Sequence, residues 1–247
     1  MDLPGFERFD FADGELTKPV YRRGSGPAVV LMHELPGMSP SCVDMGRRLA
    51  DSGYTVYMPL LFGEPNGFYG SKPLLWPCVW KEFGFLSSRR ERPITGWLRA
   101  LSRRALNERP GKGVGAIGMC MTGGFALALM MDEHLIAPVL SQPSPPVLPW
   151  KSADHGLSDA EWENARRRSE KENIPVLGFR FTGDFLCQAP RFETLKEGFG
   201  ERFRAVEVEG KGHSIFTYHF DKLSKEDQDR VWNELLAFLV KLGSDPS

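Results

Sequence analysis

The sequence predicts an α/β fold in which a mostly parallel central sheet carries helices on both faces. Short apolar, β-branched runs such as Ala28-Val29-Val30-Leu31-Met32 and Thr55-Val56-Tyr57-Met58 alternate with stretches of helical period. Strands covered on both faces read as continuous apolar runs, which is the pattern here. The chain has 247 residues, 41% hydrophobic and 26% charged, enough to bury one sizeable core. No Ser/Gly-rich linker or internal repeat divides it, so a single domain over residues 1–247 is expected.

The elements follow in order. Residues 6–20 predict an antiparallel edge hairpin. The turn residues Gly24-Ser25-Gly26-Pro27 introduce a buried strand at Ala28–Met32, then a helical pattern at 45–50 and a strand at 55–58. Leu98, Leu101, Ala105 and Leu106 set the period of a helix over 94–106, which Pro110-Gly111 stops before a strand at 113–117. A sharp turn at 118–122 leads into an apolar helix at 125–131. Strands at 135–140, Val176–Phe181 and Phe203–Val208 follow, with a charged helical stretch at 158–172. Val231, Leu235, Phe238, Leu239 and Leu242 form one stripe of a closing helix over 225–242.

Two segments break this alternation. Residues 62–92 hold Phe62, Phe68, Tyr69, Trp76 and Trp80 among several Gly and Pro, and read as a small cap over a pocket. The proline-stiffened run from Ser141 to Trp150, SQPSPPVLPW, directly follows a predicted strand. In open α/β sheets ligands bind beyond the strand C-termini.

Charge excludes some partners. Lys plus Arg number 31 and Asp plus Glu 32, a net charge of −1, which supplies no field for gripping a nucleic acid. No run approaches the ~18–20 apolar residues of a membrane span, and MDLPGFERFD lacks a signal-peptide pattern, so a cytoplasmic location without membrane attachment is expected. Cysteines at 42, 78, 120 and 187 form no C-x-x-C pair and meet no histidine at metal-ligand spacing. Reduced thiols and no metal are expected.

The chemistry concentrates at Gly118-Met119-Cys120-Met121-Thr122-Gly123-Gly124, where a strand enters a helix through a glycine-flanked turn with Cys120 at its apex. A nucleophile on such an elbow projects from the backbone. The following amide, that of Met121, faces the same space and can stabilise an oxyanion, while the helix N-terminus favours negative charge there. A lone cysteine is more often a buried packing residue. Downstream, Thr182-Gly183-Asp184 follows one predicted strand and Gly210-Lys211-Gly212-His213-Ser214 follows the last. Each alone is an ordinary turn or a surface histidine, but together they give the order nucleophile, acid, histidine found in α/β-hydrolases.

With those motifs and His33-Glu34-Leu35-Pro36-Gly37 after the first core strand, the chain resembles the dienelactone hydrolase family over residues 28–242. The resemblance implies an α/β-hydrolase fold with Cys120 as nucleophile, His213 as base and Asp184 as the orienting carboxylate. It puts Glu34 against the resting thiol and gives the Leu35 amide as second oxyanion donor. From the residues alone, Glu34 reads equally as an exposed loop carboxylate. His33 reads as a packing or hydrogen-bonding residue. The chain departs from the family at Thr122, where glycine is usual in the elbow, and at Thr217, where members that hold a substrate carboxylate carry an arginine. Arg89, Arg90 and Arg92 are the remaining candidates for that cation.

The expected activity is hydrolysis of a small-molecule ester or lactone through a thioester, without a cofactor. Phe62, Trp76, Trp80, Arg90 and Thr217 are the candidate substrate-binding residues, neutral hydrophobic substrates are expected to be preferred, and the chain is expected to be a monomer or homodimer. The alternatives are a non-catalytic small-molecule-binding module on the same fold, or an acyltransferase or lyase using the same thiol.

Overall fold

The structure is a computed structural model that describes residues 2–69, 72, 93–144, 153 and 156–243. Its strands are β1 (Glu7–Asp13), β2 (Leu16–Arg23), β3 (Ala28–Met32), β4 (Thr55–Pro59), β5 (Val114–Met119), β6 (Leu135–Ser141), β7 (Val176–Phe181) and β8 (Phe203–Val208). They form one eight-stranded sheet in the order β1-β2-β4-β3-β5-β6-β7-β8. The first hairpin is antiparallel, with Asp13 opposite Leu16, and β2 runs antiparallel to β4. From β4 to β8 every neighbour is parallel. This is the mostly parallel α/β-hydrolase sheet, with an antiparallel hairpin at one edge.

Parallel pairing requires crossovers, and the helices that make them cover both faces. Along β3 successive side chains point to opposite faces. Val29 and Leu31 share a buried cluster with Val43, Met45 and Leu49 of α1 (Pro40–Asp51) and with Val231, Leu235 and Leu239 of α6 (Lys225–Leu239). Ala28, Val30 and Met32 face the other cluster. It is built from α2 (Pro93–Glu108), α3 (Gly123–Ala128), α4 (Asp159–Glu172) and α5 (Ala189–Phe199), through Trp97, Leu101, Phe125, Ala165, Phe192 and Phe199.

Several boundaries differ from the sequence pattern for local reasons. Helix α1 starts earlier than its apolar period because Pro40 opens it and the Ser39 hydroxyl caps the Cys42 amide at 3.4 Å. The apolar helix after the elbow starts at Gly123 and tightens into a 3-10 turn at Leu129–Met131. Helix α5 is absent from the sequence reading, although Phe192, Leu195 and Phe199 are buried at helical spacing and Pro190 sits in its first turn. The cap predicted over 62–92 lies mostly outside the described residues. Among the described residues no helix is long and apolar enough to cross a membrane.

Candidate active site

The site gathers at the C-terminal ends of β3, β5, β6, β7 and β8. Strand β5 ends at Met119 and the chain turns at once through Cys120–Thr122 into α3. Cys120 has φ 53°, a left-handed conformation that costs a non-glycine residue about 1–3 kcal/mol. Two close approaches hold the turn in place. A Cβ on Gly118 would stand 2.1 Å from the Thr122 carbonyl oxygen, and one on Gly123 would meet the Pro143 ring at 2.6 Å.

Thr122 is fully buried and acts as a stitch. Its Oγ1 accepts the Met119 amide at 2.9 Å and lies within donating distance of the Met119 and Met32 carbonyls, at 2.9 and 3.1 Å. The departure from glycine therefore ties the elbow to the ends of both β5 and β3. The Ser144 amide donates to the Cys120 carbonyl at 3.0 Å, joining the loop after β6 to the same turn.

Asp184 follows β7 and is buried, 4% exposed. Its Oδ1 accepts the amides of Leu186 at 2.8 Å and Cys187 at 3.1 Å, which leaves Oδ2 to accept His213 Nδ1–H at 2.7 Å. The loops bearing the two residues are laced together, since the Thr182 and Gly183 amides donate to the Val208 and Gly210 carbonyls, both at 2.8 Å. With Nδ1 taken, Nε2 is the free face of the imidazole. It is buried, and the group it meets is the Cys120 thiol.

Cys120 Sγ, a carboxylate oxygen of Glu34 and a ring nitrogen of His213 lie within 4.8 Å of one another. Glu34, 2% exposed, thus faces the thiol and not solvent. Among the described residues its partners are neutral donors: Gln142 Nε2 at 3.0 Å and Ser214 Oγ at 2.9 Å on Oε2, and the Thr217 hydroxyl on Oε1. Burial pushes the Glu34 carboxyl up from its ordinary range, while His213 and these donors oppose that. For His213 burial works downward. The hydrogen bonds to Asp184 and to Cys120, with the charges of both, outweigh it and raise the imidazole to about 10. A thiol, an imidazole and a carboxylate in this cluster could ligate a divalent cation, but the Asp184–His213 bond and the elbow equally suit proton transfer to and from a thiol.

The remaining candidates separate. Thr217 is buried and committed to Glu34, so it does not offer its hydroxyl to the pocket in this state. Phe62, 6% exposed, packs edge-on against His33 at 4.5 Å, as a core residue. His33 is itself fully buried. Its Nε2 accepts the Leu61 amide at 3.0 Å, its Nδ1 lies 3.1 Å from the Glu34 carbonyl, and burial lowers it to about 4, so it is a neutral strut under Glu34. Leu35 and Met121 follow Glu34 and Cys120 directly in the chain. Tyr69 covers the loop, its amide on the Pro36 carbonyl at 2.9 Å. Trp76, Trp80, Arg89, Arg90 and Arg92 lie outside the described residues.

Sequence reasoning missed Gln142 and Ser214 as partners of Glu34. Gln142 has φ 36° and is fully buried, its amide held by the Phe179 carbonyl at 2.6 Å. Its place directly after β6 was visible, but its inward turn depends on β7. Ser214, adjacent to His213, was within reach of the motif.

The model of the dienelactone hydrolase family matches residues 13–242. The chain belongs to the dienelactone hydrolase family. Dienelactone hydrolase relatives share its architecture at low identity. A Klebsiella pneumoniae subsp. pneumoniae MGH 78578 protein assigned as a dienelactone hydrolase superposes with a TM-score of 0.69 at 17% identity, covering 96% of this chain and 98% of that one. A dienelactone hydrolase-like promiscuous phosphotriesterase from metagenomic libraries gives 0.68 at 18% identity, with the same coverage of 96% and 98%. A curated relative, the Escherichia coli (strain K12) fragment YghX assigned as a hydrolase, is 38% identical over 58 residues, or 24% of this chain. The chain spans half the length of that relative, 50%.

Proposed function

We propose that this dienelactone hydrolase family member hydrolyses ester or lactone bonds through a Cys120 thioester. The observation that carries the proposal is His213, fixed at Nδ1 by buried Asp184 and bonded on its other side to the Cys120 thiol. The Cys120 thiolate attacks the carbonyl carbon, and the amides of Met121 and Leu35 stabilise the oxyanion. The C–O bond then breaks, and the leaving alkoxide takes the proton of the His213 imidazolium. Forming the thioester removes the negative charge on sulfur that helps hold His213 protonated. The imidazole can therefore accept a proton from the water that attacks the thioester and keep it as the thiolate leaves the carboxylic acid product, which restores the thiolate and imidazolium. A thiolate is expelled from an amine adduct more readily than the amine, so esters and lactones are favoured over peptides.

The surroundings support a neutral substrate with an apolar group. Glu34 and Asp184 place two carboxylates beside one imidazole, and Thr217, where family members that bind a carboxylate carry arginine, serves Glu34 instead. Of the exposed large hydrophobics, Phe68, Phe185, Leu186 and Tyr218 sit on the loops after β4, β7 and β8, which also deliver the site. Incubation with a panel of p-nitrophenyl esters and lactones, followed by peptide mass spectrometry, tests the reaction. An acyl adduct is expected on Cys120, with turnover abolished in a folded Cys120→Ala variant. Turnover retained in that variant refutes the mechanism.

A further inference from the structure

The loop that carries His213 contains a second histidine that the proposed reaction does not use. His219 closes a turn by donating its amide to the Ser214 carbonyl at 2.9 Å. Its Nδ1 accepts the backbone N–H of His213 at 3.4 Å and of Ser214 at 3.2 Å. The ring stands edge-on to Phe181 at 5.9 Å and to Tyr218 at 5.1 Å. Phe181 ends β7 just before Asp184. His219 is thus wedged between the strand that delivers the acid and the loop that delivers the base.

We propose that His219 is a positioning residue for His213: its unprotonated Nδ1 holds the two amides that aim the imidazole, and protonation there releases the loop. This rests on the reading of His213 as the partner of Cys120. A backbone N–H can only donate, so a ring nitrogen that gains a proton loses both bonds and adds a third converging donor. The inner side of the loop is fastened separately, by the Ser214 and Thr217 hydroxyls on Glu34. His219 supplies the outer fastening.

The groups facing His219 oppose its charging on balance. Burial, Lys222 and His213 keep the ring below its ordinary 6.5, and only Asp184 acts the other way. A depressed folded value means the unfolded loop takes up the proton first. The fastening is therefore whole above 6.5 and is lost as pH falls through the lower folded value.

The test is the rate at which iodoacetamide alkylates Cys120, followed by peptide mass spectrometry from neutral pH downward, which requires no substrate. In the native protein the rate should fall as pH drops below 6.5, because release of the loop takes His213 away from the thiol. In His219→Asn the Oδ1 stands where Nδ1 stood and does not titrate. That variant should keep the native rate at neutral pH and hold it further down in pH than the native protein does. His219→Ala, lacking any acceptor, should be slowed about tenfold at neutral pH, as small misplacements of a catalytic group cost at least that. Native rates and an unchanged acid limb in both variants overturn the inference. The His213→Ala variant separates this from the parent reading: alkylation unaffected by that change would refute the His213–Cys120 pairing, whatever His219 does.

Discussion

His213 is raised to about 10 because Asp184 and Cys120 favour its charged form more than burial disfavours it. Its folded value lies above the ordinary 6.5, so the stabilisation is fully present below 6.5 and is lost as pH climbs through about 10. Replacing Asp184 by Asn keeps an acceptor but removes the charge. The His213 value should then move down toward 6.5, and the alkaline fall in melting temperature should begin at lower pH. The kcat/KM for an ester should drop about 10²-fold, within the range typical of acid–base groups. An alkaline limb that stays in place in Asp184→Asn would mean that Asp184 does not hold the proton on His213. Burial pushes Cys42 and Cys187 far above the ordinary thiol range, so neither competes with Cys120 for alkylation near neutrality.

The elbow joining β5 to α3 stores its strain at one residue and secures it from three sides. Cys120 adopts φ 53°, Gly118 and Gly123 allow the chain and the Pro143 loop to approach, and the buried Thr122 hydroxyl bonds the strand ends. Thr122→Gly restores the residue usual in the family but leaves the Met119 amide without its partner inside the protein. We expect a loss of about 1–3 kcal/mol, the cost of an orphaned buried donor together with a glycine's extra chain entropy. Urea denaturation should show a lower midpoint with an unchanged slope. A variant as stable as the native chain would show that the hydroxyl contributes nothing at this turn.

On the scale of the whole molecule, the distribution of charge around the site sets which substrates can approach. The chain as a whole is near neutral at −1, so long-range steering is weak and the local arrangement decides. A substrate carboxylate entering the cluster would meet the oxygen atoms of Glu34, whose neutral donors are already engaged with it. An unpaired buried charge costs several kcal/mol, whereas apolar surface covered at the rim contributes about 25 cal/mol per Å². Neutral, bulky esters or lactones should therefore show higher kcat/KM than a small carboxylate-bearing lactone. Preference for the anionic lactone would instead require a cation from Arg89, Arg90 or Arg92 at the pocket.

The amino-acid pattern alone carried all the strands and most of the helices in order, and the residue types of the thiol, the acid and the histidine. Apolar runs such as 28–32 and 176–181 are buried on both faces and hence locally legible, and the elbow around Cys120, with Asp184 and His213 on later turns, could be read from motif order alone. Helix α5 escaped because its charged residues dilute a stripe that only Phe192, Leu195 and Phe199 maintain. Tertiary structure alone decided what each polar side chain faces. Glu34 could have been a solvated loop carboxylate. It is buried because Gln142, Ser214 and Thr217, 108, 180 and 183 residues away in the chain, converge on it with hydrogen-bond donors. Likewise nothing near His219 in the chain announces that its ring accepts the His213 amide. Such contacts form only once the parallel sheet has brought the ends of β3, β6, β7 and β8 to one edge. Hydrogen-bond complementarity between distant segments is a property of that assembly and leaves no periodic trace in the sequence.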